Sequence, residues 1–337
     1  MNDIIQIIQA PAILPVVLVL ALLILERMWQ IPERLQPLLF LRLLGVRMAD
    51  KVNADAQADL AANINATKSA KQNTVLAGIL ALLLLTIPWL IILFFMNQFA
   101  YYPLFFDAFL LFISLQFSHH IKRYHRIQRA LALNKKNLAK DMLRSMVLRD
   151  THLLSSIGIS KAAGEGLQLR FFYQQITVVF WFVLAGPFIA LFYRMVLELL
   201  FTWNPKRPAF AQFGLGAKLV CHWMQWVPVR LGALCAILAT RGFYGLFSTK
   251  FRALPAIIFG QNGTILLAAQ SRATRLHFSG AVMYQGCKIR RPKFLGIKEP
   301  GYGDMPIVVA SINRTLIVFV AVMLAFNSLK IAAFQIA

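Results

Sequence analysis

The sequence is poor in charge and poorest in acids. Asp, Glu, Lys and Arg together make up 14% of the 337 residues, whereas 59% are hydrophobic. A soluble domain is about 25% charged and about 45–50% apolar, and it needs polar surface to face water. The shortage of charge therefore excludes an ordinary soluble enzyme and a disordered chain. The three cysteines, Cys221, Cys235 and Cys287, are odd in number and widely spaced, which excludes a disulfide-stapled domain and gives no zinc signature.

The few acids are far outnumbered by basic residues. Thirteen Asp and Glu stand against 35 Lys and Arg, for a formal net charge of +22. In a soluble protein this balance would suggest nucleic acid, but in an apolar chain it is typical of basic cytoplasmic loops beside anionic lipid. We therefore expect the lipid bilayer as the partner, and no nucleic acid.

Long apolar runs are abundant. A helix needs about 20 apolar residues to cross a bilayer, and six runs approach this length: 5–25, 75–96, 101–117, 176–201, 219–239 and 316–336. The fourth run is interrupted by Gly186-Pro187. The fifth run is the weakest because it holds His222, Pro228 and Arg230; if it is only re-entrant or interfacial, five spans remain. The sequence predicts an all-α, polytopic integral membrane helical bundle over 1–337, with helical and loop segments outside the lipid.

The charge of the connecting segments predicts which side each one faces. Residues 118–172 hold 11 basic residues and 3 acids, and residues 240–313 hold 10 and 2. The positive-inside rule therefore places 26–74, 118–172 and 240–313 in the cytoplasm. Within these segments, 121–149 mixes basic residues with apolar ones at near-helical spacing, which is typical of an amphipathic helix on anionic headgroups.

Several strings resemble, in order, the CbiB/CobD family of cobalamin-biosynthesis membrane proteins and its AmpE-type relatives. The strongest is WVPVRL at 226–231, within FGLGAKLVCHWMQWVPVRLGAL. The others are ERMWQIPERLQP (26–37), LRDTHLLSSIGISKAAGE (148–165) and VVFWFVLAGPFIALFYRMV (178–196). The resemblance covers roughly residues 20–325, and it implies a bacterial-type inner membrane protein that crosses the membrane several times.

The resemblance implies two alternative functions. CbiB/CobD proteins join a carboxylate of adenosylcobyric acid to an aminopropanol, usually its phosphate, in an ATP-dependent amide ligation. This reading implies a corrinoid substrate, and ATP with Mg²⁺, but no tightly bound cofactor. AmpE-type relatives are regulatory inner-membrane proteins without established chemistry, and other membrane proteins are then possible partners.

The sequence departs from the family where acids are expected. Glu165 keeps the first Glu of the family's acidic stretch, but Leu169, Arg170 and Tyr173 stand where a second Glu, an Asn and an Asp are expected. A family Asp-Asp pair falls on Cys221-His222. Because Mg²⁺ prefers oxygen ligands, these changes remove the usual means of holding it.

The candidate catalytic residues are Glu165 and Lys161, which are four positions apart and share a helix face. Glu165 could hold Mg²⁺ or take a proton from an attacking amine; the alternative is a solvated ion pair with Lys161. The triplet Arg149-Asp150-Thr151 matches the family. Arg149 could bind phosphate through its planar fork, or it could pair with Asp150.

Two intramembrane positions carry charge. Arg230 follows Pro228 in WVPVRL and could bind an anion or carboxylate, or extend towards a lipid headgroup. Arg194 and Glu198 lie one helical turn apart and are expected to form a structural pair, because ionisable groups inside a membrane usually pair. The histidines and cysteines have poor spacing for a metal, so we predict no metal site.

Overall fold

The computed structural model describes residues 14–29, 32, 36–53, 68–241, 261–284, 286–294 and 296–336; it does not describe the side chains of 68–70, 241, 287, 288 and 330–336. Within these ranges the chain is almost entirely helical. Five helices are long and apolar enough to cross a membrane: Lys71–Gln98, Pro103–Ala132, Ser156–Ala185, Leu215–Thr240 and Tyr302–Leu329. The predicted fold class is confirmed: this is an all-α polytopic membrane protein.

The helices follow one another with short connections. They are α1 (Leu14–Met28), α2 (Pro37–Val52), α3 (Lys68–Gln98), α4 (Pro103–Leu115), α5 (Ser118–Ala132), α6 (Lys136–Arg144), α7 (Ser156–Phe171), α8 (Thr177–Ala185), α9 (Pro187–Thr202), α10 (Leu215–Arg241), α11 (Asn262–Thr274) and α12 (Met305–Ile336). A π-helical turn, Phe172–Ile176, joins α7 to α8, and 3₁₀ turns lie at Pro208–Phe210 and Tyr302–Asp304.

Proline and glycine set several helix boundaries. Pro37, Pro103 and Pro187 each stand in the first turn of a helix, where a missing N–H costs no hydrogen bond. Gly186 has φ 86°, a left-handed conformation that glycine adopts without steric cost, and the chain leaves helical geometry there. The break falls on the Gly186-Pro187 interruption noted in the sequence. By contrast, Pro228 lies inside α10 without ending it.

The helices extend beyond the predicted apolar runs. The run at 176–201 is divided at Gly186, and the helical stretch before this break starts at Ser156, within a segment predicted to be cytoplasmic. The run at 316–336 lies in a helix that begins at Met305. Residues 5–13, 54–67 and 242–260 of the predicted spans and cytoplasmic segments lie outside the described residues. The membrane boundaries of the six spans, and their number, stay predictions.

The chain separates into two compact units. The described part of unit 1 comprises residues 14–21, 117–177, 226–241, 261–284, 286–294 and 296–336. In it α5 and α6 form a helical hairpin that packs on α7, and α7 also contacts α11 and α12. Close packing occurs at Gly232, where an added Cβ would lie 2.9 Å from the Phe172 ring in the π-helical turn.

Unit 1 also holds the short strands of the structure. Strand β1 (Phe278–Ser279) pairs antiparallel with β4 (Lys293–Phe294), and β2 (Val282–Tyr284) pairs antiparallel with β3 (Cys287–Ile289). The sequence analysis expected only helices and loops here. Two- and three-residue strands carry too little periodic pattern to be read from sequence.

The described part of unit 2 comprises residues 22–29, 32, 36–53, 68–116 and 178–225. Helix α9 packs against α2, α3 and α4. The contacts need small residues: Trp203 donates from Nε1 to the Gly45 carbonyl at 2.9 Å, and a Cβ on Gly78 would lie 2.0 Å from the Phe213 carbonyl oxygen.

Candidate functional site

Helix α7 carries the main acidic candidate into the interior of unit 1. The helix begins after Ser155, whose Oγ accepts a hydrogen bond from Gly158 N at 3.1 Å. This is a standard N-cap, because the first turn of a helix has N–H groups without helical partners. Glu165 lies in the second half of the helix and is 2% exposed. A buried carboxylate is costly unless cations and hydrogen bonds compensate its charge.

Glu165 is surrounded by donors from three other segments. Arg149 Nη2 lies 2.6 Å and Arg291 Nη2 lies 3.3 Å from Glu165 Oε2. The other oxygen, Oε1, accepts from the Ser279 backbone N–H at 2.8 Å. We call Arg149, Glu165 and Arg291 the Glu165 cluster. With two guanidiniums and one carboxylate it keeps an excess of one positive charge.

Backbone strain accompanies this arrangement. Ser279 has φ 64°, in the left-handed region that non-glycine residues seldom adopt. Its N–H donates to Glu165 from this conformation. Strained residues of this kind are enriched at functional sites, where surrounding contacts hold them.

Lys161 contacts a different acid from the one its sequence spacing suggests. Its Nζ lies 3.6 Å from Glu299 Oε2, and Lys293 Nζ lies 2.7 Å from Glu299 Oε1. Partial burial by itself would raise the pKa of Glu299, but the hydrogen bond from Lys293 and the charges of Lys161 and Lys293 outweigh it and lower that pKa. The alternative Lys161–Glu165 ion pair is therefore not formed, since tertiary contacts give each residue another partner.

Asp150 and Thr151 hold the loop that carries Arg149. Asp150 N donates to the Met283 carbonyl at 3.0 Å, and Asp150 Oδ2 accepts from Gly286 N at 2.9 Å. Thr151 is buried, and its Oγ1 accepts from Arg144 Nε at 3.3 Å. Arg149 pairs with Glu165 and not with its neighbour Asp150.

Arg230 lies in a second polar region of unit 1. Its guanidinium lies 4.2 Å from the centroid of the Trp226 ring, and Nη1 donates to Asn262 Oδ1 at 3.3 Å, at the start of α11. The next residue, Gly263, approaches Tyr173: a Cβ there would lie 3.3 Å from the Tyr173 hydroxyl. Tyr173 follows Glu165 by eight residues, about 12 Å along a helix. Arg230 thus lies beside the same helical stretch as the Glu165 cluster, further along it.

Arg194 and Glu198 lie in unit 2. Arg194 Nη1 is 2.7 Å from Glu198 Oε1, and Arg42 Nη2 is 2.6 Å from Glu198 Oε2. Arg194 Nε also donates to the Ser114 carbonyl at 3.1 Å. We call Arg42, Arg194 and Glu198 the Glu198 cluster.

The sequence analysis missed Arg291, Ser279, Lys293 and Glu299. Arg291 is 126 positions from Glu165 in sequence, so no local pattern connects them. The one available signal was the basic run KIRRPK at 288–293. A run of this kind indicates a cationic surface, but it does not show which residue contacts a buried acid.

The carboxylates of the site do not suit Mg²⁺. Both oxygens of Glu165 already face donors, and Asp150 accepts from a backbone amide. Among the residues that the structure describes, there is no group of three or more His, Cys, Asp or Glu side chains that could hold a metal. The exposed part of the cluster is cationic, and guanidiniums bind phosphate or carboxylate oxygens through paired N–H donors.

Comparisons with known proteins agree with the strings quoted above. The family model for CobD/Cbib protein matches residues 14–329. A protein named Cobalamin biosynthesis protein CobD from Chromobacterium violaceum is 26% identical over 199 residues, which is 59% of this chain and 63% of the relative. One with the same name from Stutzerimonas stutzeri is 28% identical over 184 residues, 54% of this chain and 58% of the relative.

Each of these alignments thus covers less than two thirds of the relative's length. No solved structure matches the chain. The family match covers most of the sequence, including the Glu165 cluster and Arg230. The chain therefore belongs to the CobD/Cbib family of cobalamin-biosynthesis proteins.

Proposed function

We propose that this protein is an ATP-dependent amide ligase of cobalamin biosynthesis in the bacterial inner membrane. It would join a carboxylate of adenosylcobyric acid to aminopropanol or its phosphate. Membership of the family supports the pathway. The observation that carries the reaction is the Glu165 cluster, a largely buried pair of arginines with more positive charge than its one carboxylate neutralises.

Every stage of such a ligation involves anions. A carboxylate must be activated by ATP before an amine can displace a phosphate group from it, and the amine substrate can carry a phosphate of its own. Arg149 and Arg291 are 11% and 25% exposed, so their guanidiniums are partly desolvated yet can be reached. Cations in this setting stabilise charge that develops on a leaving phosphate more strongly than they would in water.

In this proposal Glu165 is a positioning residue. It holds both guanidiniums on one oxygen while Ser279 N–H holds the other. ATP first transfers its terminal phosphoryl group to the carboxylate and leaves as ADP. The amine nitrogen then attacks the carbonyl carbon, the carbon–oxygen bond to phosphate breaks, and the proton lost from nitrogen passes to the departing phosphate. Arg149 and Arg291 would bind the departing phosphate. Mg²⁺ would enter with ATP as part of the substrate, and no step is assigned to it because both oxygens of Glu165 already face donors.

The test is turnover by the purified protein in lipid nanodiscs. With adenosylcobyric acid, aminopropanol phosphate and ATP, chromatography and mass spectrometry should show the amide product, together with hydrolysed nucleotide. Arg149→Gln and Arg291→Gln should each lower the rate by about 10²-fold, the usual loss for one stabilising donor. Arg290→Gln, at an exposed neighbouring position, is the matched control and should keep its rate.

Binding measurements decide the outcome if no product forms. Calorimetry with ATP and an absorbance titration with the corrinoid test the two ligands separately. Absence of product and of binding at millimolar ligand would reject the ligase and leave the AmpE-like, non-catalytic alternative.

A further inference from the structure

The loop between α6 and α7 carries an unusually exposed apolar residue. Leu153 is 89% exposed, more than any other large apolar side chain in the described part of the chain. Its neighbours His152 and Thr151 are fixed by α6, so the tip is held in place. A single exposed leucine is common on protein surfaces, so an occupant is indicated only by the charged residues beside it.

A basic stripe runs along α6 beside this loop. Lys136, Lys140 and Arg144 are spaced by four residues and therefore share one face of the helix. Lys140 Nζ donates to the His152 carbonyl at 2.6 Å, and Arg144 Nη2 lies 2.7 Å from a ring nitrogen of His152. We call Lys136, Lys140, Arg144 and Leu153 the loop-tip surface.

Charge and position favour one kind of occupant. Residues 133–148, before the loop reaches Arg149, contain four Lys and Arg and one Asp, for an excess of three positive charges. The candidate membrane-spanning helix Pro103–Ala132 ends four residues before Lys136, and its apolar part is the run at 101–117, so the stripe lies on the basic side of this span. Basic residues next to a span are attracted to anionic headgroups, and an adjacent apolar side chain can enter the interface.

The structure also changes which residues are available for this contact. The sequence analysis placed the whole of 121–149 on headgroups. In the structure Tyr124, Ile127 and Leu131 of α5 are buried within unit 1, so the apolar face of that helix serves the protein core. The apolar side chains left for lipid therefore lie after Leu131.

We propose that the loop-tip surface docks on an anionic lipid surface, with Leu153 inserted among the headgroups and the basic stripe on their phosphates. Arg149 begins the same loop and contacts Glu165. Lipid contact would therefore fix the loop that supplies one guanidinium of the Glu165 cluster. The proposal does not require ligase activity.

A nitroxide label on Leu153→Cys tests the docking in nanodiscs of phosphatidylglycerol or of phosphatidylcholine. Collisions with oxygen report lipid, and collisions with a water-soluble nickel complex report water. The ratio of oxygen to nickel collisions should be at least about twofold higher in phosphatidylglycerol. Wild-type protein treated with the same label gives the background from the three native cysteines, Cys221, Cys235 and Cys287, of which Cys221 and Cys235 are buried.

Two comparisons make the test specific. Lys136→Gln removes charge without touching the contacts to His152, and it should lower the ratio in phosphatidylglycerol towards the phosphatidylcholine value. A label on Ile297→Cys, an apolar position that is 71% exposed, is the matched control and should collide mainly with nickel in both lipids. The proposal is wrong if position 153 behaves like position 297, or if its protection does not depend on lipid charge and survives Lys136→Gln, as contact with protein would predict.

Discussion

Each unit holds a cluster in which a buried glutamate lies between two arginines, yet the two clusters are built from different parts of the chain. In unit 2, Glu198 and Arg194 lie on the same helix one turn apart, and Arg42 comes from another helix. In unit 1, Glu165 lies on a helix, but Arg149 and Arg291 both come from segments outside helices. Both clusters consist of one glutamate and two arginines, but helices hold both arginines only in the Glu198 cluster.

This difference in how the arginines are held indicates a structural role for the Glu198 cluster and a binding role for the Glu165 cluster. Arg194 is 3% exposed and its Nε is already bound to the Ser114 carbonyl, so helix geometry fixes it. Its Nη1 forms an ion pair with Glu198 at 2.7 Å without the alignment of a good hydrogen bond. Arg291 is 25% exposed on a segment without helical restraint. Arg42 of the Glu198 cluster is more exposed, at 47%, but it also lies on a helix. Both arginines of the Glu165 cluster lie on segments without helical restraint, so they can adjust to a ligand more readily.

The largest effect on stability is expected from Glu198→Gln. The change leaves the buried Arg194 without a counter-charge, and breaking one side of a buried pair costs about 3–5 kcal/mol. Unfolding of the detergent-purified protein, followed by heat or denaturant, measures this cost. Glu165→Gln should cost less, about 1–3 kcal/mol, because Arg149 and Arg291 can reach water. A larger loss for Glu165→Gln than for Glu198→Gln would contradict the assignment of the two clusters.

For ligand binding, in contrast to stability, the larger effect is expected from a change in the Glu165 cluster. Arg149→Lys keeps the charge but removes the planar fork that binds two oxygens at once. We expect about a tenfold weaker affinity for ATP, equivalent to about 1.4 kcal/mol. Calorimetry on the reconstituted protein gives the value.

The matched control for that experiment is Arg42→Lys, the same exchange on the other buried glutamate. It should leave the affinity for ATP within about twofold of wild type. Equal losses for both variants would indicate that Arg149 has no specific role in binding.

The features that sequence could predict were those with a local pattern. Apolar runs predicted a polytopic helical protein, and the string at 148–165 singled out Arg149 and Glu165 before their contact was known. The partners from 279 and 291 were out of reach because they are brought in by folding over more than a hundred positions. Lys161 shows the opposite error: helical spacing suggested Glu165, but Glu299 is its partner.

The space around one glycine in each unit, Gly78 and Gly164, allows the packing of the two units to be compared. A Cβ on Gly78 in unit 2 would lie 2.0 Å from the Phe213 carbonyl oxygen, which belongs to the backbone and cannot rotate away. Gly78→Ala should therefore cost about 1–3 kcal/mol, the usual cost of overpacking. The unfolding assay used for Glu198→Gln measures it.

Gly164→Ala in unit 1 is the matched variant. Its Cβ would lie 3.2 Å from the Phe278 ring, which can shift. Alanine is also more favourable than glycine inside a helix by about 1 kcal/mol. This gain should nearly cancel the cost of displacing the Phe278 ring. A loss as large as that of Gly78→Ala would show that unit 1 is packed as rigidly as unit 2, and would weaken the view that its cluster can adjust to a ligand.

The smallest expected effect is a pH dependence confined to unit 1. The pKa of Glu299 is held below its ordinary value of 4.5, because the hydrogen bond from Lys293 and the charges of Lys161 and Lys293 outweigh burial. A lowered folded-state pKa means that the contribution to stability is complete above pH 4.5 and is lost as the pH falls through the lower value. Since the Glu299 side chain is 37% exposed, solvent screens the pair and the change should be small.

Unfolding midpoints of wild type and Glu299→Gln, measured from about pH 6 down to about pH 3, test this sign. The two proteins should differ most at the upper end and converge in acid, because protonated Glu299 no longer attracts the lysines. A difference that stays constant over the range would mean that the carboxylate contributes through packing and not through charge. In that case Glu299 would not neutralise Lys161 and Lys293, and their charges would add to the positive charge that Arg149 and Arg291 carry in unit 1.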